Sequence, residues 1–266
     1  MTAAMPAYDT LAVSRDGAVG SVTIDRPQAM NTLTPTMVEE LLDVAVRFSE
    51  DDDVRCVTLT GAGTAFGAGA DLSRLDGDSS DATALRRLAS TLHDAIIQLY
   101  QGDTPLVTGV NGIAAGAGFS LAILGDIVLV SDEARFEYAY HRVGLTGDGG
   151  STFLLPRLVG LRRAKEIVLR DEPIDPDRAV ELGIATDVVP ATELESRVAE
   201  EAERLASGPT AAYGRMRRLL TESFDRDLAG QLAAETDAIA RSTHSRDYKR
   251  GYAAFFGDEP AEFVGN

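Results

Sequence analysis

Apolar residues in the first third of the chain form two short β-prone runs followed by one long helical period. Tyr8–Ser14 and Ala18–Asp25 meet around Asp16-Gly17, a dipeptide that favours a hairpin turn. Pro27 stops the second run. Pro35 then opens a helix in which Val38, Leu41, Leu42, Ala45 and Phe48 recur at helical spacing. Val54–Thr60 reads as a buried strand. The glycine-rich stretch Gly61–Asp71 leads into the polar segment Asp76–Asp81, which reads as a mobile loop. Leu85, Leu88, Leu92, Ile96 and Leu99 mark a second amphipathic helix. Pro105–Val110 and Ile127–Val130 are further buried strands, with a helical Phe119–Leu124 between them.

This strand–helix alternation predicts an α/β fold with parallel strands and crossover helices. After Val188-Val189-Pro190 the pattern turns helical from Glu193 to Phe256, broken at Gly208-Pro209 and near Ser242–Ser245. Two regions follow: a strand-containing core over residues 1–192 and a helical region over residues 193–266. There is no internal repeat and no low-complexity tract.

Composition narrows the function. The 266 residues suit one large domain or a domain with an appendage, 44% of them hydrophobic and 25% charged. The formal charge of −17 repels nucleic acid and anionic membranes, which excludes both as bulk partners. Of the 25 basic residues only Lys165 and Lys249 are lysines, leaving 23 arginines. A solvated acidic surface accounts for this balance. Cys56 sits in an apolar run and reads as a buried, inert thiol; one cysteine makes neither an internal disulfide nor a Cys-rich metal site. His93, His141 and His244 are scattered. No signal peptide is visible and no stretch approaches 18 apolar residues, so the expectation is a cytoplasmic globular protein without a membrane partner.

Three glycine-rich segments carry the candidate chemistry. In Gly61–Leu72 the third glycine of a dinucleotide fingerprint is replaced by Phe66, so that motif fails. Its small residues let a ligand approach the backbone, or make a tight turn with Asp71 as a cap. Asn111–Ser120 passes from a strand into a helix through Ala114-Ala115-Gly116-Ala117-Gly118. Free N–H groups at such a helix start favour an anion, whereas close helix–sheet packing would select the same small residues. In Gly144–Thr152, Asp148 stands alone among small residues before an apolar run, and a capping or turn role is its simplest reading.

In order and spacing, these segments resemble the crotonase superfamily, the enoyl-CoA hydratase/isomerase family. Thr23-Ile24-Asp25-Arg26-Pro27, Asn31 and Leu155-Pro156-Arg157-Leu158-Val159-Gly160 extend the resemblance, which reaches Phe255. It implies a spiral of ββα units with a helical C-terminal trimerisation region, a homotrimer or dimer of trimers, and an acyl-CoA thioester as ligand. No cofactor is implied beyond the CoA carried by the substrate. The amides of Ala70 and Ala117 are implied to form an oxyanion hole; one such donor is typically worth about 3–4 kcal/mol. Arg26, Ala29, Ala68, Gly69, Asp71, Leu72 and Gly116 are implied to line the CoA and acyl path, with Lys249 meeting CoA phosphates.

The departures from the family pattern sharpen the reading. Ser120 and Tyr140 occupy the positions at which hydratases of this family carry glutamates. Without those carboxylates, ordinary hydration is disfavoured; as substrate-binding residues the two side chains either hydrogen-bond the substrate or fill space, with filling space the favoured reading. Asp148 falls where family isomerases lacking the glutamates carry an Asp, with Gly147 in place of a proline; the look is that of the 1,2-epoxyphenylacetyl-CoA isomerase branch. The implied reaction is a double-bond shift, with Asp148 moving a proton from C2 to C4 of a 3-enoyl-CoA. The family's basic C-terminal stretch is here the acidic Phe256-Gly257-Asp258-Glu259-Pro260.

Overall fold

A computed structural model describes residues 6–257 and 260–266. Strands β1 (Leu11–Asp16) and β2 (Val19–Ile24) form the expected antiparallel hairpin, with Gly17 in the left-handed region that the turn requires. β3 (Cys56–Gly61) pairs parallel with β2 and begins a repeating path. From here each unit places one strand in each of two sheets and then forms a helix. β3 is followed by β4 (Ala65–Gly67) and α2 (Ala82–Gln101). β5 (Leu106–Val110) is followed by β6 (Ile113–Ala115) and α3 (Ala117–Ala122). β7 (Ile127–Ser131) is followed by β8 (Arg135–Glu137) and α4 (Ser151–Val159).

The first strands join a six-stranded sheet of order β1-β2-β3-β5-β7-β9, closed by β9 (Asp187–Val189). The second strands form the parallel sheet β4-β6-β8. The result is the spiral of ββα units. α1 (Pro35–Glu50) is capped by Thr34, whose hydroxyl accepts from the Met37 N–H, and packs with α2 over the inner face of the large sheet. Phe119 on α3 meets Phe136 edge-on at 6.1 Å, and Tyr138 at 5.9 Å. Such pairs contribute about 0.5–1.5 kcal/mol beyond burial and lock α3 onto the end of β8.

The outer face of the large sheet is covered by α7 (Leu194–Ala206), whose Leu194, Val198 and Ala202 pack on Cys56, Val107 and Leu129. The first helix of the C-terminal region thus shares an apolar layer with the strands. The Asp-rich segment differs from the loop expected of it: Asp81 accepts from the Asp76 and Gly77 N–H groups and Asp78 from Ser80, making a stapled turn before α2. The cluster of short acidic side chains there is occupied with backbone capping.

Cys56 lies fully buried, and that burial, reinforced by the charges of Asp126 and Glu201, pushes its thiol up to about 12. A thiol reagent at pH 8 should therefore leave the folded protein unlabelled and titrate one thiol after denaturation; rapid labelling of native protein would contradict this burial.

Candidate active site

The site begins where β6 ends. Gly116, with φ 55°, turns the chain so that Ala117 becomes the first residue of α3, where an N–H has no partner within its own helix. A second amide without a partner among the described residues arises at the isolated bridge between Leu33 and Ala70. Leu33 donates to the Gly69 carbonyl at 2.8 Å and Asp71 donates to the Leu33 carbonyl at 2.9 Å. Ala70 N–H, between these two bonds, donates to no group among the described residues, and neither does Ala117 N–H. The two segments touch: a Cβ at Gly69 would stand 3.6 Å from the Ala117 nitrogen and 3.3 Å from the Ala115 carbonyl. Gly69 lies at φ 86°, in the left-handed region that favours glycine.

Neighbouring predicted residues fall into the same patch with different duties. Ala68 N–H donates to the Met30 carbonyl at 3.1 Å, which joins the Ala29–Asn31 turn to the Ala68 backbone. Asn31 is fully buried and ties this turn to Ala62 and Ala65 through its amide. Asp71 caps a short 3₁₀ turn beginning at Leu72, accepting from Ser73. The Ser73 hydroxyl, opposed by burial and helped by Arg26, holds the Asp71 carboxyl below the ordinary carboxylate range.

Arg26 is tied into the same patch. Its guanidinium is paired with Asp71 at 3.3 Å and bound to the Thr32 carbonyl and hydroxyl, with only 15% of the side chain exposed. It braces the two loops. Lys249, on α10 (Arg246–Phe256), is exposed and has no hydrogen bond or ion pair with any other predicted site residue among the described residues of one protomer. Of the acidic stretch after α10, Asp258 and Glu259 lie outside the described residues.

Asp148 reaches the site through α3. Ser120 lies three residues beyond Ala117, about 4.5 Å along the axis. Its hydroxyl meets the Asp148 carbonyl at 2.9 Å and the Tyr140 hydroxyl at 3.0 Å. Tyr140 in turn donates to Asp148 Oδ1 at 2.7 Å. Ser120 and Tyr140 are thus hydrogen-bonded to each other and to Asp148, as buried hydroxyls need partners. Burial, with the Asp148 charge beside it, drives the Tyr140 phenol above its ordinary range, so it stays a donor. Asp148 is half-buried and does not cap α4, whose N-terminal flanking residue is Gly150 without a side-chain cap. Gly147 replaces the family's proline for a spatial reason: its Cβ position is occupied by the Tyr138 hydroxyl.

One participant was not anticipated. His93 on α2 accepts from the Gly149 N–H through Nε2 at 3.1 Å, pinning the residue after Asp148 and requiring a neutral Nε2. The available signal was a polar residue one position after Leu92 and three before Ile96, beside the helix's apolar stripe.

The enoyl-CoA hydratase/isomerase family model matches residues 14–266. The chain belongs to the enoyl-CoA hydratase/isomerase family. A probable enoyl-CoA hydratase of Rhodobacter capsulatus is 33% identical over 259 residues, covering 97% of this chain and 99% of that one. The 1,2-epoxyphenylacetyl-CoA isomerase of Escherichia coli is 32% identical over 93% of this chain and 95% of its own. The crystal structure of a putative enoyl-CoA hydratase from Streptomyces coelicolor superposes with a TM-score of 0.92 at 29% identity, covering 100% of this chain and 98% of that one. This confirms the spiral α/β fold of the family. No helix among the described residues is long and apolar enough to cross a membrane, and no cluster of His, Cys, Asp or Glu there suits a metal ion.

Proposed function

We propose that the protein shifts a double bond in an enoyl-CoA thioester, from the 3-enoyl to the 2-enoyl form. The observation that carries this reading is the Asp148 carboxylate beside α3, held there by Ser120 and Tyr140, the two residues in place of the family's glutamates. Ala70 and Ala117 N–H would receive the thioester oxygen. Asp148 would take a proton from C2, leaving a dienolate whose negative charge rests on that oxygen, and would return the proton at C4. The C3–C4 double bond becomes a C2–C3 double bond, with no net gain of atoms and no cofactor beyond the CoA moiety. Water addition requires a positioned water and a proton donor on the same face, a task less suited to one carboxylate.

Binding would rest chiefly on the backbone of the Ala29 and Ala68 segments, since Arg26 is engaged elsewhere. The helical region 193–266 fits subunit assembly: Phe224, Leu228, Ile239, Phe255 and Phe256 all stand exposed on one protomer. A homotrimer or a dimer of trimers would cover them.

A panel of purified 3-enoyl- and 2-enoyl-CoA thioesters tests the proposal. Appearance of 2-enoyl-CoA absorbance from the 3-enoyl substrates supports it. Addition of water to the 2-enoyl substrates without isomerisation would make the protein a hydratase, and binding without conversion would make it a non-catalytic acyl-CoA carrier. Either result would overturn the proposal.

A further inference from the structure

Asp148 has two carboxylate oxygens in different settings. Oδ1 accepts from Tyr140 at 2.7 Å, while Oδ2 accepts no hydrogen bond among the described residues. We infer that Tyr140, steadied by Ser120, is a positioning residue that fixes the Asp148 carboxylate by Oδ1 and leaves Oδ2 as the oxygen that moves the proton. This inference rests on the proposed reaction for its catalytic consequence but not for its structural one.

The Tyr140 hydroxyl is fixed independently of Asp148. Ala139, immediately before it, lies at φ 60°, an uncommon conformation for alanine, and its N–H donates to Asp171 Oδ1 at 2.7 Å. Arg142, one turn on, is paired with both Asp171 and Glu137, whose side chains are each 8% exposed. The ring itself is buried against Tyr138, 5.0 Å between centroids. A phenol anchored by backbone, ion pairs and packing meets a carboxylate on a glycine-rich turn. The carboxylate is therefore the adaptable member, and the phenol sets where it points.

Ser120 completes the arrangement. Its hydroxyl bridges the Tyr140 hydroxyl and the Asp148 carbonyl, so backbone and side chain of Asp148 are referred to one point on α3. The titratable groups facing Asp148 are Tyr140 from the turn after β8, Tyr138 at the Gly147 position, and His93 from α2 through Gly149. No basic side chain makes an ion pair with Asp148 among the described residues.

The test compares the parent with Tyr140→Phe and Ser120→Ala, each checked for an unchanged thermal midpoint. The ¹³C carboxyl resonance of Asp148 is identified as the one lost in Asp148→Asn and is recorded without substrate. In Tyr140→Phe, which removes the hydrogen bond to Oδ1, that resonance should leave its parental position. With 3-enoyl-CoA, kcat should fall about tenfold with KM unchanged. Ser120→Ala should give the same direction with a smaller size, which keeps the test available if Tyr140→Phe does not fold. An unmoved resonance and an unchanged kcat in the folded variants overturn the inference. A moved resonance in a protein that isomerises nothing would uphold the Tyr140–Asp148 coupling and sink the proposed reaction instead.

Discussion

Replacing Asp148 by asparagine is expected to lower kcat for the double-bond shift by about 10²–10⁴-fold, the usual contribution of a positioned acid–base group. The substitution is nearly isosteric. An asparagine oxygen still accepts from the Tyr140 hydroxyl, so the turn carrying residue 148 keeps its place on Ser120. What disappears is the capacity to take and return a proton. On the proposed reading the CoA moiety is bound by other segments, so KM should stay within a few-fold of the parent, the pattern for an interaction lost from the chemical step alone. Steady-state kinetics on 3-enoyl-CoA with a thermal melt of the same preparation decide the matter. A folded variant that retains parental kcat would remove Asp148 from the mechanism.

That expectation could be framed from the sequence, but not with the partners the structure supplies. Asp148 is visible there as a lone acid among glycines, and the amides of Ala70 and Ala117 are implied by the order of the small-residue segments. The long strands and helices are equally legible, because β3, β5 and β7 are short runs rich in apolar and β-branched residues and α1 and α2 keep their period over four turns or more. The second sheet is not. β4, β6 and β8 are three residues each, too short to show an alternation, and two of them lie inside segments that read as glycine turns.

The role of Tyr140 was hidden for a different reason. Hydrogen bonding between residues 120, 140 and 148 depends on three turns set by Gly116, Ala139 and Gly149, all with positive φ. A sequence pattern does not register where such turns aim a side chain. Arg26 illustrates the same limit from the other side: a cation near a glycine-rich segment is legible, while its commitment to Asp71 and Thr32 is a matter of tertiary contact. The −17 charge likewise bears on solvation more than on the ligand, since a ligand bound through backbone donors needs little from the overall field.

A backbone donor can be tested only by removing the N–H itself, and the position of Ala117 makes this feasible. Proline is well suited to the first residue of a helix, where its fixed φ matches and the missing N–H has no helical acceptor to lose. The preceding residue, Gly116, sits at ψ −126°, away from the helical region that a following proline disfavours. Ala117→Pro should therefore fold, yet it puts a ring carbon in place of the amide hydrogen. Loss of one oxyanion donor costs about 10²–10³ in kcat, or about 2.7–4 kcal/mol. Ala117→Gly retains the N–H and should stay within about tenfold of the parent, since it adds only the flexibility cost of glycine in a helix. The contrast between the two is the decisive reading. If the proline variant melts like the parent and isomerises as fast, the developing charge is stabilised elsewhere. If proline is inactive and glycine active at equal stability, the hydrogen on that one nitrogen is what the enolate oxygen requires.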